Sequence, residues 1–126
     1  MIRLPSLSDL QSPPGVRIFL CVLPTDMRRG FDTLAQQAQS VCGQDPLTGH
    51  LFLFRSRCGG RLKILWWDRD GYALWYKRLE EGVFRFPRVQ DGQGHLEIAA
   101  GDLAMLLEGI DLRSVKRLPR YQRPPG

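Results

Sequence analysis

The chain is predicted to fold as an α+β domain: a curled antiparallel sheet of about five strands, with one long helix after the first strand and a short C-terminal helix. Three observations predict it. A β-rich apolar run at 16–22 precedes a stretch with the 3,4 spacing of one helical face. Four short apolar runs between 51 and 86 are joined by brief links rich in turn formers. A leucine stripe near the C-terminal end has helical spacing.

Residues 1–15 carry three Pro, three Ser and a Gly without periodicity, and are read as a flexible arm. Val16 to Val22 reads as a buried strand, closed by Leu23-Pro24 because proline cannot continue a central ladder. Thr25 is placed to cap the next helix, with Asp26 favoured by the dipole of its first turn. Met27, Phe31, Leu34, Ala35, Ala38, Val41 and Cys42 form its apolar face, and Gly43 is its stop. The turn Asp45 to Gly49 leads into four candidate strands: Leu51–Arg55, Leu62–Trp67, Tyr72–Arg78 and Val83–Phe86. Pro87 closes the run. Leu96-Glu97-Ile98 reads as a short strand before a helix whose stripe is Leu103, Leu106, Leu107 and Ile110. Ala99 and Ala100 cannot cap that helix, although Asp102 suits its dipole, and Gly109 fits its stop. Residues 16–111 thus form one domain, and the basic 112–126 is expected to stay disordered without a partner.

The 126 residues suit a single modest core, and 43% hydrophobic with 25% charged residues is ordinary for a globular protein. No apolar run approaches the ~20 residues that span a bilayer, and the first residues lack a secretory apolar core, so no membrane is expected and the cytoplasm is the default. The three cysteines form no CxxC pair, and His50 and His95 stand alone. Neither a disulfide framework nor a metal site is expected, and Cys21 and Cys42 read as buried thiols.

Charge is distributed in blocks. Residues 1–50 sum to zero, 51–90 to +5, 91–111 to −5 and 112–126 to +5, and fifteen of the eighteen cations are Arg. Arg is the type suited to bidentate phosphate contacts, so nucleic acid is the first partner to consider, against a plain solvated surface. From 52 to 88 cations alternate with rings. On a strand this spacing gives one core face and an opposite face mixing cations with aromatics, as in surfaces that bind single strands or backbone phosphates. The same rings also read as core and cross-strand pairs, and sequence leaves both readings open.

Nothing asks for catalysis. No GxSxG or GxxxxGK[ST] occurs, and neither His lies in a catalytic signature. Asp68 and Asp70, beside Arg69 and Gly71, read as a turn between strands, and Leu79 stands where a calcium loop would need its glutamate.

Four blocks carry a resemblance. They are Thr25-Asp26-Met27-Arg28-Arg29-Gly30-Phe31 with Leu34, Gly49 to Arg55, Arg61 through Pro87, and Leu103 with Leu106 to Asp111. In these the chain resembles the TnpB-type accessory protein, the second reading frame of the insertion sequence 66 transposon family. The resemblance spans about residues 16–112. It implies a helper encoded beside a separate, larger transposase and needed for efficient transposition. The transposase and the element's other proteins are therefore expected partners; the cationic blocks add DNA, and no cofactor is expected. Three departures stand out: Ala99 where the family usually places a Thr or Ser cap, a less charged Cys58-Gly59-Gly60 turn, and a longer arm at 1–15.

The expected contact residues for nucleic acid or a partner are Arg28, Arg29, Gly30, Arg55, Arg57, Arg61, Lys63, Lys77, Arg78 and Arg85. Arg28 and Gly30 are unusual in a first helical turn, since Arg faces the positive end of the dipole and Gly costs about 1 kcal/mol. Either this turn is a contact surface, or Arg28 pairs with Asp26, Asp32 or Asp68 inside the fold.

Overall fold

A computed structural model describes residues 15–89 and 92–108. The arm up to residue 14, the expected helix end at Gly109 and Ile110, and the basic tail 112–126 lie outside the described residues. The elements run β1 (Ile18–Cys21), α1 (Phe31–Cys42), a short 3-10 turn (Pro46–Thr48), β2 (Leu51–Arg55), β3 (Arg61–Asp68), β4 (Gly71–Arg78), β5 (His95–Ile98) and α2 (Ala100–Leu107). The five strands form one open sheet in the order β4-β3-β2-β1-β5.

The α+β architecture is as expected, but the sheet is mixed. β1 pairs with β2 in parallel, Ile18 opposite Leu51 and Cys21 opposite Phe54, while the other three neighbouring pairs are antiparallel. The reason is the intervening helix. α1 carries the chain back along the sheet, so β2 starts at the same end as β1, as a crossover between parallel strands requires.

Parallel central strands are covered on both faces, and this sheet follows that rule. On one face α1 lays Leu34, Ala35, Ala38 and Cys42 on Phe19, Cys21, Phe52, Phe54 and Leu65. On the other, Leu103 and Leu106 of α2, with Phe84 and Phe86, cover Ile18, Leu20, Leu51, Leu53, Leu62, Ile64 and Trp66. Burial on two sides explains why β1 and β2 read as unbroken apolar runs. It also decides between the two readings left open for the rings: Phe52, Phe54, Trp66, Phe84 and Phe86 are all core, whereas Tyr76 is exposed.

One helix boundary differs from expectation. α1 begins at Phe31, not after Thr25. The Asp26 carboxylate accepts the Arg28 N–H at 2.9 Å, a local bond that competes with helix, and Gly30 takes the N-cap position with no side chain to offer. Thr25 instead is buried. Its N–H donates to the Arg55 carbonyl at 2.9 Å, and its hydroxyl accepts from Gln37 Nε2 at 2.8 Å. The C-terminal stop is as predicted, with Gly43 at φ 66° donating to the Gln39 carbonyl.

Val83–Phe86 is not a strand. Phe84 and Phe86 point inward with strand-like alternation, but the segment crosses a face of the sheet rather than joining an edge. Its Phe84 N–H donates to the Gly59 carbonyl at 2.8 Å. Gly59, at φ +82°, holds Val83 so near that an added Cβ would lie 3.1 Å from its Cβ. At α2 the absent side-chain cap on Ala99 is offset from the other side, since the Asp102 carboxylate accepts the Ala99 N–H at 3.1 Å.

Phe52→Ala is expected to cost about 3–5 kcal/mol in urea unfolding, since its fully buried ring stacks on Phe19 at 5.6 Å. Phe31→Ala, whose ring is 43% exposed, is expected to cost less than about 1 kcal/mol.

Candidate nucleic-acid interface

The strand registers bring one end of the sheet to a common edge. Cys21 lies opposite Phe54, Arg55 opposite Leu62, and Arg61 opposite Arg78. The loop 22–30, the turn 56–60 and the exit from β4 therefore emerge together. Thr25, Met27, Ser56, Arg57, Cys58 and Arg61 line an open cleft of about 410 Å³ between the first two. Of the ten expected contact residues, Arg28, Arg29, Gly30, Arg57, Arg61, Lys77 and Arg78 are exposed, and all belong to this end.

Alternation divides them between the two faces. Arg61, Lys63, Tyr76 and Arg78 lie on the α1 side, while Arg55 and Lys77 lie on the α2 side. Arg85 is exposed, on the coil that crosses the α2 side.

Two of the expected contacts are structural. Lys63 is buried, 7% exposed, with Nζ donating to the carbonyls of Met27 at 2.7 Å and Arg29 at 2.9 Å. The same ammonium sits 4.8 Å from the Tyr76 ring centroid, and burial lowers its pKa. Lys63 thus clamps the loop that displays Arg28 and Arg29. Arg55 donates to the Phe84 carbonyl at 2.9 Å and covers the Phe86 ring at 4.3 Å, fastening the coil over the core. Long cationic side chains at strand ends look alike in sequence. Only the fold separates those that turn inward to carbonyls from those that reach solvent.

The Arg28 guanidinium does pair with Asp26, through Nε at 3.1 Å and Nη2 at 2.8 Å, but the pair is on the surface with Arg28 91% exposed. It orients the guanidinium rather than locking it in the core. Arg29 donates to Gln37 Oε1 at 2.8 Å, and Gln37 in turn reaches Thr25. Sequence reasoning missed Gln37, because nothing local signals that a mid-helix glutamine reaches back to the loop before its helix. Arg61 approaches the Tyr76 hydroxyl at 3.4 Å, and Arg78 pairs with Glu80 at 3.2 Å. Cys58 is exposed in the turn, its thiol pKa lowered by the Gly60 backbone N–H and by Ser56.

No group of three His, Cys, Asp or Glu able to hold a metal ion occurs among the described residues, and no described helix is long and apolar enough to cross a membrane. Asp68 and Asp70 belong to the β3–β4 turn, where Arg69 adopts φ 57°. Cys21 and Cys42 are buried, with their sulfurs 3.5 Å apart.

Fold and surface together define a small α+β protein with a single two-faced sheet and a guanidinium-rich end. Residues 16–117 match the family described as IS66 Orf2 like protein, and the chain belongs to that family of insertion-sequence accessory proteins. It is not a known catalytic family. The chain is 42% identical over 104 residues to a protein of Sinorhizobium fredii named uncharacterized protein y4hO, covering 82% of this chain and 89% of that one. It is 38% identical over 110 residues to uncharacterized protein y4jC of the same organism, covering 87% and 92%. No solved structure matches at a significant level.

Lys63→Met leaves the Met27 and Arg29 carbonyls without their donor. It is expected to cost about 1–3 kcal/mol in denaturant unfolding and to speed amide exchange across 25–31. The Arg28 guanidinium holds the Asp26 carboxyl down to about 2. That folded value lies below the unfolded one, so the pair contributes above about pH 5 and is lost as pH falls toward the folded value. A carboxyl NMR titration should show the low midpoint in the native protein and a midpoint raised toward the ordinary carboxylate range in Arg28→Ala, which keeps the backbone N–H bond to Asp26.

Proposed function

We propose that this protein assists the separate transposase of its insertion sequence by binding DNA through the cationic end of its sheet, and cuts or joins no strand itself. One observation carries the reading. Arg28, Arg29, Arg57, Arg61 and Arg78 reach solvent at one end, while Phe52, Phe54, Trp66, Phe84 and Phe86 are packed into the core and, of the rings between 52 and 86, Tyr76 alone is exposed, beside Arg61. Five guanidiniums with one exposed ring among them suit backbone phosphates, which position a protein on a duplex, more than a run of base-stacked single strand. The clamped loop supports the same reading, because a side chain displayed from an ordered backbone loses less entropy on contact.

Docking onto the transposase through the acidic, Leu-rich stretch 96–111 is the rival account. That stretch is engaged internally over its described part. Leu103 and Leu106 are core, Glu97 receives Arg17 at 2.6 Å, and the Asp102 carboxylate caps its own helix. DNA binding is therefore the reading preferred here.

Fluorescence anisotropy of labelled transposon-end duplex, at two salt concentrations beside a scrambled duplex, tests it. Binding should weaken steeply with salt, and Arg28→Ala, Arg57→Ala and Arg61→Ala should each lower the salt slope by about one. Lys63→Met should weaken binding and leave the slope unchanged, as a positioning residue does. An absence of binding at low salt would overturn the reading in favour of protein docking.

A further inference from the structure

The α1 side of β4 changes character along its length. Tyr72 and Leu74 pack against the cluster beneath α1, whereas Tyr76, two residues on and sharing their face, is 48% exposed. The inner side of its ring is occupied. Lys63, its register partner on β3, is itself buried and sets its ammonium over the ring, 4.8 Å from the centroid. The Arg61 guanidinium donates to the Tyr76 hydroxyl at 3.4 Å and fixes that end of the ring. One face is therefore backed by a buried cation, and the exposed area belongs to the opposite face and the edge. A tyrosine held in this way loses little conformational freedom when something stacks on it.

Charges frame the ring. Arg61 and Arg78 are register partners at the end of the β3–β4 pair, and both share the face of Tyr76. Arg61 is exposed, and Arg78 keeps 62% of its side chain in solvent while it pairs with Glu80 at 3.2 Å. A lone ring would suit any planar apolar group, and guanidiniums alone would suit any polyanion. A ring between two guanidiniums matches a nucleotide, with the base on the ring and a phosphate to either side.

We infer that Tyr76 receives one unpaired nucleotide extending from a duplex, its base stacked on the open face of the ring and its flanking phosphates on Arg61 and Arg78. Inside a duplex both faces of every base are covered by neighbouring pairs, so a base must lie outside that stack to use this ring. A single platform seats a single base, whereas a run of single strand needs several. The site rests on the DNA-binding reading above and narrows its ligand to duplex with a strand extension. Such extensions arise wherever one strand is cut short or displaced.

Fluorescence anisotropy of the full chain should compare a blunt duplex with the same duplex extended by one unpaired nucleotide, at the 3′ end or at the 5′ end. The native protein should bind one of the extended forms about tenfold more tightly than the blunt one, the scale of one base–ring stack. Tyr76→Ala should bring extended and blunt DNA to equal affinity, and Tyr76→Phe, which keeps the ring, should retain the preference. A second readout needs no variant: with 5-iodouracil as the extending base, irradiation should attach the DNA to the peptide that contains Tyr76. A native protein without preference, a preference that survives Tyr76→Ala, or attachment at another peptide would each overturn the inference. Salt-sensitive binding of blunt and extended duplex alike would strike this site alone, whereas no binding of either at low salt would remove the DNA-binding reading with it.

Discussion

The rest of the structure depends on the parallel pairing of β1 with β2. Two adjacent parallel strands force a crossover, and the twelve residues of α1 supply it. Once α1 lies on one face, the opposite face needs its own cover, and α2 with the coil carrying Phe84 and Phe86 provides it. A small chain thereby acquires a three-layer core, which accounts for the large share of its rings and leucines buried in or against the sheet. The cost is that few aromatic surfaces are left for anything else.

The same crossover builds the cationic end. Parallel strands deliver the loop after β1 and the turn after β2 to the same edge, so residues thirty positions apart in sequence, such as Met27 and Arg57, line one cleft. Lys63 then joins the layers from within. A buried ammonium is tolerated only where its protons are accepted, and the Met27 and Arg29 carbonyls do this while fixing the loop between them. Arg28 and Arg29 are displayed because Lys63 is not. Asp26 and Gln37 refine the display, one gripping Arg28 and the other receiving Arg29.

Much of the fold was legible locally. The apolar face of α1, its Gly43 stop, β2 to β4 and the short strand at 96–98 follow from periodicity and turn chemistry, because side-chain spacing reports which face an element buries. The start of α1 was not legible. Thr25 and Asp26 have the chemistry of a cap, yet the Asp26 carboxylate closes a tighter local turn and Thr25 is drawn inward by Arg55 and Gln37. Val83–Phe86 alternates as a strand does, but alternation cannot say whether a segment lies beside a sheet or across its face. Among the candidate contacts, the exposed arginines were identified correctly as cations and their convergence was not foreseen. Lys63 and Arg55 were grouped with them because residue type is silent about direction.

By itself the sequence determined the class of the fold, the extent of its main elements, the family, and the block of cations between β2 and the coil. These are properties of residue type and local spacing, which act over a few positions. Only the tertiary structure decided that the central pair is parallel, that both faces of the sheet are covered, that Phe52, Phe54, Trp66, Phe84 and Phe86 belong to the core, and that one lysine turns inward while five arginines at the same end of the sheet face solvent. Those outcomes depend on contacts between residues tens of positions apart, whose geometry exists only after the helix has crossed the sheet and each side chain has found either a carbonyl or water.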